Sequence, residues 1–228
     1  MVKREIELKF EVASAELGMD LLMAIVDRIQ LIPEPTVTKV LLSRYLDNVA
    51  GSLARCGAGF RARGELGGEV AIWTMKLAES QAGARFTAAE YEVEGGWCEV
   101  PGEFGEAVAD LGGLVEIARL SNRRLKVDAS RGAVRVEAVV DLVTVEHPRV
   151  MSFAEVEFES SSTEILTEIS REVAAFGGGS TPSRGHKLSR ALGNTTEVDA
   201  IAARKLAKAL ERGVGGGTRP SIRSPWCR

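Results

Sequence analysis

The sequence predicts an α+β chain built on a closed antiparallel β-barrel, with helices laid against its outer wall. Three observations carry that expectation. The opening stretch Glu5-Ile6-Glu7-Leu8-Lys9-Phe10 alternates ionised and apolar residues at the strand period of two. The same alternation returns along the chain: Arg61 with Arg63, Thr74 with Lys76, Glu90 with Glu92 and Glu94, Arg135 with Glu137 and Asp141, and Glu155 with Glu157 and Glu159. The recurring charges are of both signs. An ordinary half-buried strand turns its charges to water, but a whole set of strands of this kind suits a barrel with a charged lumen and a greasy outside covered by helices.

The elements follow in order. A strand over 2–12 leads to Ser14, which with Glu16 opens a helix whose Leu17, Leu21, Leu22, Ile25, Val26 and Ile29 recur at helical spacing. Pro33 and Pro35 end it. A strand rich in Val, Thr, Leu and Tyr is expected over 36–48, a short helical segment over 49–56, and a strand over 59–63. Gly67-Gly68 marks a hairpin into 69–77, and Gly83 returns the chain along 84–94. One helix is expected at 103–111, then strands over 119–128, 133–140 and 150–159. Residues 160–163 supply caps for a helix to Phe176, stopped by Gly177-Gly178-Gly179. A helical turn over 187–192 and a basic amphipathic helix over 199–212 follow, and 213–228 reads as a disordered tail. Lys205 and Lys208 read as the solvated face of that last helix.

The chain has 228 residues, of which 27% are charged, and a net charge of −3. The near balance speaks against a dedicated nucleic-acid binder but not against an anionic ligand, because local clusters make a site. Cys56, Cys98 and Cys227 are odd in number and widely spaced, which supports neither a zinc knuckle nor a disulfide framework. No signal peptide or membrane span is visible, so a reducing, cytoplasmic setting is the default expectation.

The chemistry lies in the alternating charges. Carboxylates two residues apart on a strand face sit about 6–7 Å apart, and two such pairs converging from different strands make an all-oxygen site for a hard divalent cation. Arg61, Arg63, Lys76, Arg123, Arg124, Arg135 and Lys187 could grip phosphate oxygens. That much buried charge would be prohibitive unpaired, and a polyanion carrying metal ions satisfies both signs.

These residues resemble those of a known family. Glu5-Ile6-Glu7-Leu8-Lys9 matches the ExExK motif of the CYTH domain, the triphosphate tunnel metalloenzymes. In the same order come Tyr45-Leu46-Asp47, Gly59-Phe60-Arg61-Ala62-Arg63, Trp73-Thr74-Met75-Lys76, Glu90-Tyr91-Glu92, Arg123-Arg124, Asp141, Glu155-Val156-Glu157-Phe158-Glu159 and Lys187-Leu188-Ser189-Arg190-Ala191-Leu192. The resemblance covers about 2–193. It implies an eight-stranded tunnel over 1–193, with the basic helix (194–212) and tail (213–228) appended. It also implies binding of a triphosphate with Mg²⁺ or Mn²⁺. Glu5, Glu7, Glu155, Glu157 and Glu159 map to metal ligands, and Lys9, Arg61, Arg63, Lys76, Arg123 or Arg124, and Lys187 to phosphate ligands. Arg135, on the inward parity, joins that set. Glu90, Glu92 and Glu157 are the candidate bases. Two positions depart from the family pattern: Ala88 stands where an Arg is common, with Arg85 on the opposite parity, and Asn48-Val49-Ala50 replaces Thr-Pro-Asp.

The expected activity is metal-dependent hydrolysis of inorganic triphosphate or another small triphosphate, such as ATP or thiamine triphosphate. A class IV adenylyl cyclase, a catalytically silent polyphosphate or nucleotide sensor, and a structural interaction domain are the competing readings. On a regular strand Arg123 and Arg124 cannot both face inward. His147 before Pro148 and His186 beside Gly185 read as turn and loop residues without a catalytic partner, Cys56 as a small apolar filler, and Trp73 as outer-wall core.

Overall fold

The computed structural model describes residues 2–177, 179–193, 198–215 and 222–223. Eight antiparallel strands close on themselves. They are β1 (Val2–Val12), β2 (Val37–Asp47), β3 (Ala58–Glu65), β4 (Val70–Ala82), β5 (Arg85–Gly96), β6 (Val115–Arg131), β7 (Val134–His147) and β8 (Met151–Glu159). Around the barrel the order is β8-β7-β6-β2-β3-β4-β5-β1, and β1 pairs with β8 to close it. Closure removes the exposed edges that an open sheet of this length would carry. Two-residue strands at Ile32–Pro33 and Thr181–Pro182 add to β6 and β1, and Glu99–Val100 pairs with Ile222–Arg223.

Helices cover the outward residues on two sides of the barrel. Helix α1 (Ala15–Arg28) and helix α4 (Thr163–Phe176) cover β1, β7 and β8. Leu21, Leu22 and Ile25 of α1 and Ile165, Leu166 and Ile169 of α4 bury against Leu8, Phe10, Val140, Val156 and Phe158. Both helices begin on a serine whose hydroxyl oxygen accepts a backbone N–H: Ser14 from Leu17 at 3.2 Å and Ser162 from Ile165 at 3.3 Å. Gly177 ends α4 at φ +68°, a left-handed cap that a side chain would strain.

On the other side Phe60, Trp73, Met75 and Tyr91 form a second outer core with Phe104 and Val108, beside or within helix α3 (Gly105–Ala109). Short helix α2 (Ser52–Arg55) adds Leu53 to it. Each such fully buried side chain contributes about 1.5–3 kcal/mol. Trp73 is wholly buried there, on the outer wall as its parity predicts, and its indole N–H donates to the Gly96 carbonyl.

Helix α5 (Lys187–Leu192) differs from the rest because it packs inside the barrel end rather than over its wall. Its Leu188 and Ala191 meet Tyr45, Ala118, Leu120, Val143 and Val145. Helix α6 (Ala200–Gly215) lays Leu206 and Leu210 into the second outer core and leaves Lys205 and Lys208 exposed.

The observed β6 and β7 run well past the expected 119–128 and 133–140: Asp141–Val145 stay in unbroken register with Leu120–Arg124, and bulges at Tyr45/Leu46 and Arg119/Leu120 carry the pairing on to Val115 and His147. Cys98 is disulfide-bonded, which the spacing of the cysteines did not suggest, while Cys56 is a free thiol. Most of the expected tail lies outside the described residues; of it, Gly213–Gly215 continue α6 and Ile222–Arg223 form the short pairing above. Among the described residues no helix is long and apolar enough to cross a membrane.

Candidate functional site

Strand β1 sets the site. Because Leu8, Phe10 and Val12 bury against α1 and α4, the alternate residues Glu5, Glu7 and Lys9 point into the lumen, where all three are buried. The β1–β8 register places Lys9 opposite Glu157, Glu7 opposite Glu159 and Glu11 opposite Glu155. Lys9 Nζ lies 3.0 Å from Glu7 and 2.8 Å from Glu157, tying the two strands across the interior.

Two carboxylate clusters flank this bridge, each with one lysine ammonium at its centre. Lys76 of β4 pairs with Glu5, with Glu7 at 3.0 Å and with Glu90 of β5 at 3.2 Å. Lys187, the first residue of α5, pairs with Glu155, with Glu157 at 2.8 Å and with Asp141 of β7 at 2.9 Å. Arg124 makes a fork onto Asp141 at 2.8 and 2.6 Å and reaches Glu157 at 3.2 Å. Oxygens of Asp141, Glu155 and Glu157 lie within 4.8 Å of one another, and all three residues are buried. That is an all-oxygen donor set of the kind hard divalent cations take.

The opposite wall is basic. Arg61 and Arg63 of β3 face inward beside Tyr45, whose hydroxyl hydrogen-bonds Arg61. Neither arginine forms an ion pair among the described residues. Burial, with Arg61 and Arg124 close by, pushes the Arg63 guanidinium down to about 10. Burial also works against Arg61, but Tyr45 and Glu90 outweigh it and raise that guanidinium. Around Arg63, then, positive charge is in local excess.

On the acidic side the balance runs the other way. Burial pushes the Asp141 carboxyl up, yet Lys187 and Arg124 hold it down at about 2. Burial likewise opposes the Glu157 charge, and Lys187, Lys9 and Arg124 keep it well below the usual carboxylate range. For Glu155 burial wins, and its carboxyl is raised. Against the cost of burial, the acids hold Lys9 and Lys187 above the ordinary lysine range.

The structure brings together most of the expected residues: Glu5, Glu7, Lys9, Arg61, Arg63, Lys76, Glu90, Arg124, Glu155, Glu157 and Lys187. Arg123 is corrected. Strand alternation sends Arg124 inward and leaves Arg123 exposed on the outer wall, between Val40 and Leu142. Arg135 keeps the inward parity but is exposed at the far end of β7, away from the clusters. Glu159 sits at the same rim, paired with Lys3. Glu92 is exposed and accepts a hydrogen bond from the Thr74 hydroxyl at 3.3 Å. Ala88 is buried opposite Glu5, and Arg85 turns outward to donate to Thr167 of α4, so it does not stand in for an arginine at 88.

Sequence reasoning gave Asp141 the face of Arg135 and Glu137 and a place in the family pattern but assigned it no ligand role; the register that sets it opposite Glu155 and Arg124 supplies the missing step. It also passed over Tyr45, His186 and Arg190. Arg190 lies over the Phe153 ring at 3.7 Å and pairs with Glu155 at 3.0 Å and Glu11 at 3.4 Å, which fastens α5 to β8 and β1.

Comparison with known proteins agrees with this architecture. HpAC1 from Hippeastrum, a candidate adenylyl cyclase described as having a dominant triphosphatase activity, superposes with a TM-score of 0.51 at 14% identity, over 83% of this chain and 95% of its own. A candidate adenylate cyclase from Bacillus halodurans superposes with a TM-score of 0.52 at 16% identity, over 82% and 97%. At such identities the likeness is one of fold. No protein of curated function matches in sequence. The family model of the CYTH domain, however, matches residues 3–192, the span from β1 to α5, and the chain belongs to the CYTH domain family.

Proposed function

We propose that the protein is a divalent-metal-dependent triphosphatase that hydrolyses inorganic triphosphate or another small triphosphate inside the barrel. The observation that carries this reading is the division of the lumen: Arg61 and Arg63 face inward without carboxylate partners, opposite the compact acid set Asp141, Glu155 and Glu157. A polyphosphate gives the arginines the anion they lack, and a cation bound with it gives the acids a second counter-charge.

In this scheme Asp141, Glu155 and Glu157 would hold Mg²⁺ or Mn²⁺, with Glu5 and Glu7 across the Lys9 bridge as the further candidate ligands. A metal held there would supply Lewis-acid charge to the phosphoryl oxygens. The Lys187 ammonium contacts the same three carboxylates, so it would be the group to give way to an ion held by them. Arg61, Arg63, Lys9, Lys76 and Arg124 bind and orient the phosphate chain, and Arg123 has no part in it. Of the three candidate bases, Glu157 suits the role of ligand: a carboxylate held well below its usual range is a weak base. Glu90, buried beside Lys76, is the better placed of the other two, since Glu92 is exposed.

The test is one activity screen over tripolyphosphate, ATP and thiamine triphosphate with Mg²⁺ and with Mn²⁺. Release of orthophosphate that a chelator abolishes is the expected result. Cyclic AMP from ATP with little orthophosphate would overturn it in favour of a cyclase. Tight binding without turnover under either metal would leave a sensor.

A further inference from the structure

His186 borders the tunnel charges and has no part in the scheme above. It immediately precedes α5, half-buried, and its Nδ1 accepts the backbone N–H of Ser189 at 3.1 Å. A Ser or Asp oxygen ordinarily makes that capping bond. The Ser189 hydroxyl donates back to the His186 carbonyl at 2.8 Å, so the capping residue and the first turn of the helix hold each other. The ring is therefore fixed by the same helix that seats Leu188 and Ala191 in the barrel end and sends Lys187 into the acid cluster.

A nitrogen that accepts a hydrogen bond carries no proton. The imidazole is thus neutral, with its proton on Nε2, and Nε2 is a donor with no protein partner among the described residues. The surroundings favour that state. Burial, with Lys9 and Lys76 next and Arg61 beyond, pushes the imidazole down to about 4, and Glu7 opposes this without reversing it. His186 immediately precedes Lys187, whose ammonium enters the acid cluster, and it caps the helix whose Leu188 and Ala191 fill the barrel end, so the ring borders the chamber that those four residues line. An imidazolium there would add one more cation to a crowded set. A neutral ring adds a directed donor without that repulsion.

We propose that His186 is a substrate-binding residue, its Nε2–H donating to an oxygen of the bound polyphosphate at the α5 end of the tunnel while Nδ1 anchors the ring to the helix. The proposal rests on the triphosphate reading above and names one further contact within it. The expected contribution is that of a hydrogen bond to a charged acceptor, roughly 10- to 100-fold in affinity.

His186→Ser separates the two functions of the ring, since a serine oxygen can still cap α5 but reaches nothing in the tunnel. It is expected to raise KM for tripolyphosphate with Mg²⁺ about 10- to 100-fold and to leave the melting temperature within a few degrees of wild type. His186→Ala loses cap and donor together and should also melt earlier. Nitrogen-15 spectra of the wild-type protein give a readout that needs no variant. The chain has two histidines, and His147 is exposed, so it serves as the internal control. Adding the non-hydrolysable imido analogue of tripolyphosphate should shift the His186 Nε2–H signal and leave His147 unmoved. An unmoved His186 signal at saturation, or wild-type KM in His186→Ser, overturns the proposal alone. A wild-type protein that neither binds nor cleaves tripolyphosphate overturns the triphosphate reading and this contact with it.

Discussion

Lys76 and Lys187 each hold three carboxylates drawn from two strands, yet the two clusters are built differently. Lys76 rises from a barrel strand, its side chain 24% exposed, and gathers Glu5, Glu7 and Glu90. Lys187 arrives on α5, 10% exposed, and its acids converge tightly enough to share one ion. Among the described residues only the second cluster meets that condition. The first cluster follows from strand alternation alone, whereas the second requires a helix to enter the barrel end. A barrel with one open and one compact acid cluster has a direction; on the proposed reading the metal belongs at the compact cluster and the rest of the polyphosphate beyond it.

Of the carboxylates in the two clusters, Glu157 touches the most cations and gives the largest expected effect. It contacts Lys9, Lys187 and Arg124 at once. Glu157→Gln should lower metal-dependent turnover by about 100-fold or more, since even groups one bond removed from a metal cost 10- to 100-fold. Glu92→Gln should change it little. Equal losses in the two variants would erase the distinction between lumen and rim. Arg61→Ala comes next, with KM for the triphosphate expected to rise about 10- to 100-fold as one charged clamp is lost. Arg63→Met should cost similar affinity but no stability, because burial and its cationic neighbours already disfavour the Arg63 charge. A lower melting temperature for Arg63→Met would show that this charge has a partner in the folded protein.

Much of this was legible in the sequence, for a physical reason. Period-two alternation places a side chain inside or outside without knowledge of the partner strand, so Glu5, Glu7, Lys9, Arg61, Arg63, Lys76, Glu155 and Glu157 could be assigned to one surface. The reading failed where alternation gives no answer. Parity made Arg123 and Arg124 exclusive but could not choose between them; the choice needed the β6–β7 register that sets Arg124 beside Asp141. Parity put Asp141 on the inner face, but not within reach of Glu155 and Glu157, which depends on the β7–β8 register. Lys187 begins a six-residue helix, capped by His186, that is too short to show a periodic face; the family resemblance and not alternation pointed to Lys187, and its inward placement comes from tertiary packing of Leu188 and Ala191.

Lys187→Met against Lys76→Met sharpens the comparison of clusters directly. Removing Lys187 leaves three buried carboxylates with fewer counter-charges and should destabilise the fold by about 3–5 kcal/mol. The loss should be partly repaired by millimolar Mg²⁺ or Mn²⁺, seen as a rise in melting temperature larger than in wild type. Lys76→Met should fall less and be repaired less, because its cluster is more exposed and its acids lie farther apart. Equal falls, or repair of both, would make the two clusters equivalent.

The smallest effect concerns acid. Asp141 sits at about 2 in the folded chain against 3.8 for a free aspartate, because Lys187 and Arg124 outweigh its burial. A folded-state value below the unfolded one means the unfolded chain takes up the proton more readily. Asp141 therefore contributes stability that is present in full above about pH 4 and is lost as pH falls from there toward 2, on the order of 2 kcal/mol. Asp141→Asn gives up that contribution at neutral pH and cannot lose it again. Its urea-unfolding free energy should start lower than wild type at pH 6 and fall less steeply between pH 4 and pH 2.5. Parallel slopes in the two proteins would mean that the ion pairs around Asp141 survive its protonation, and that Lys187 is held by Glu155 and Glu157 alone.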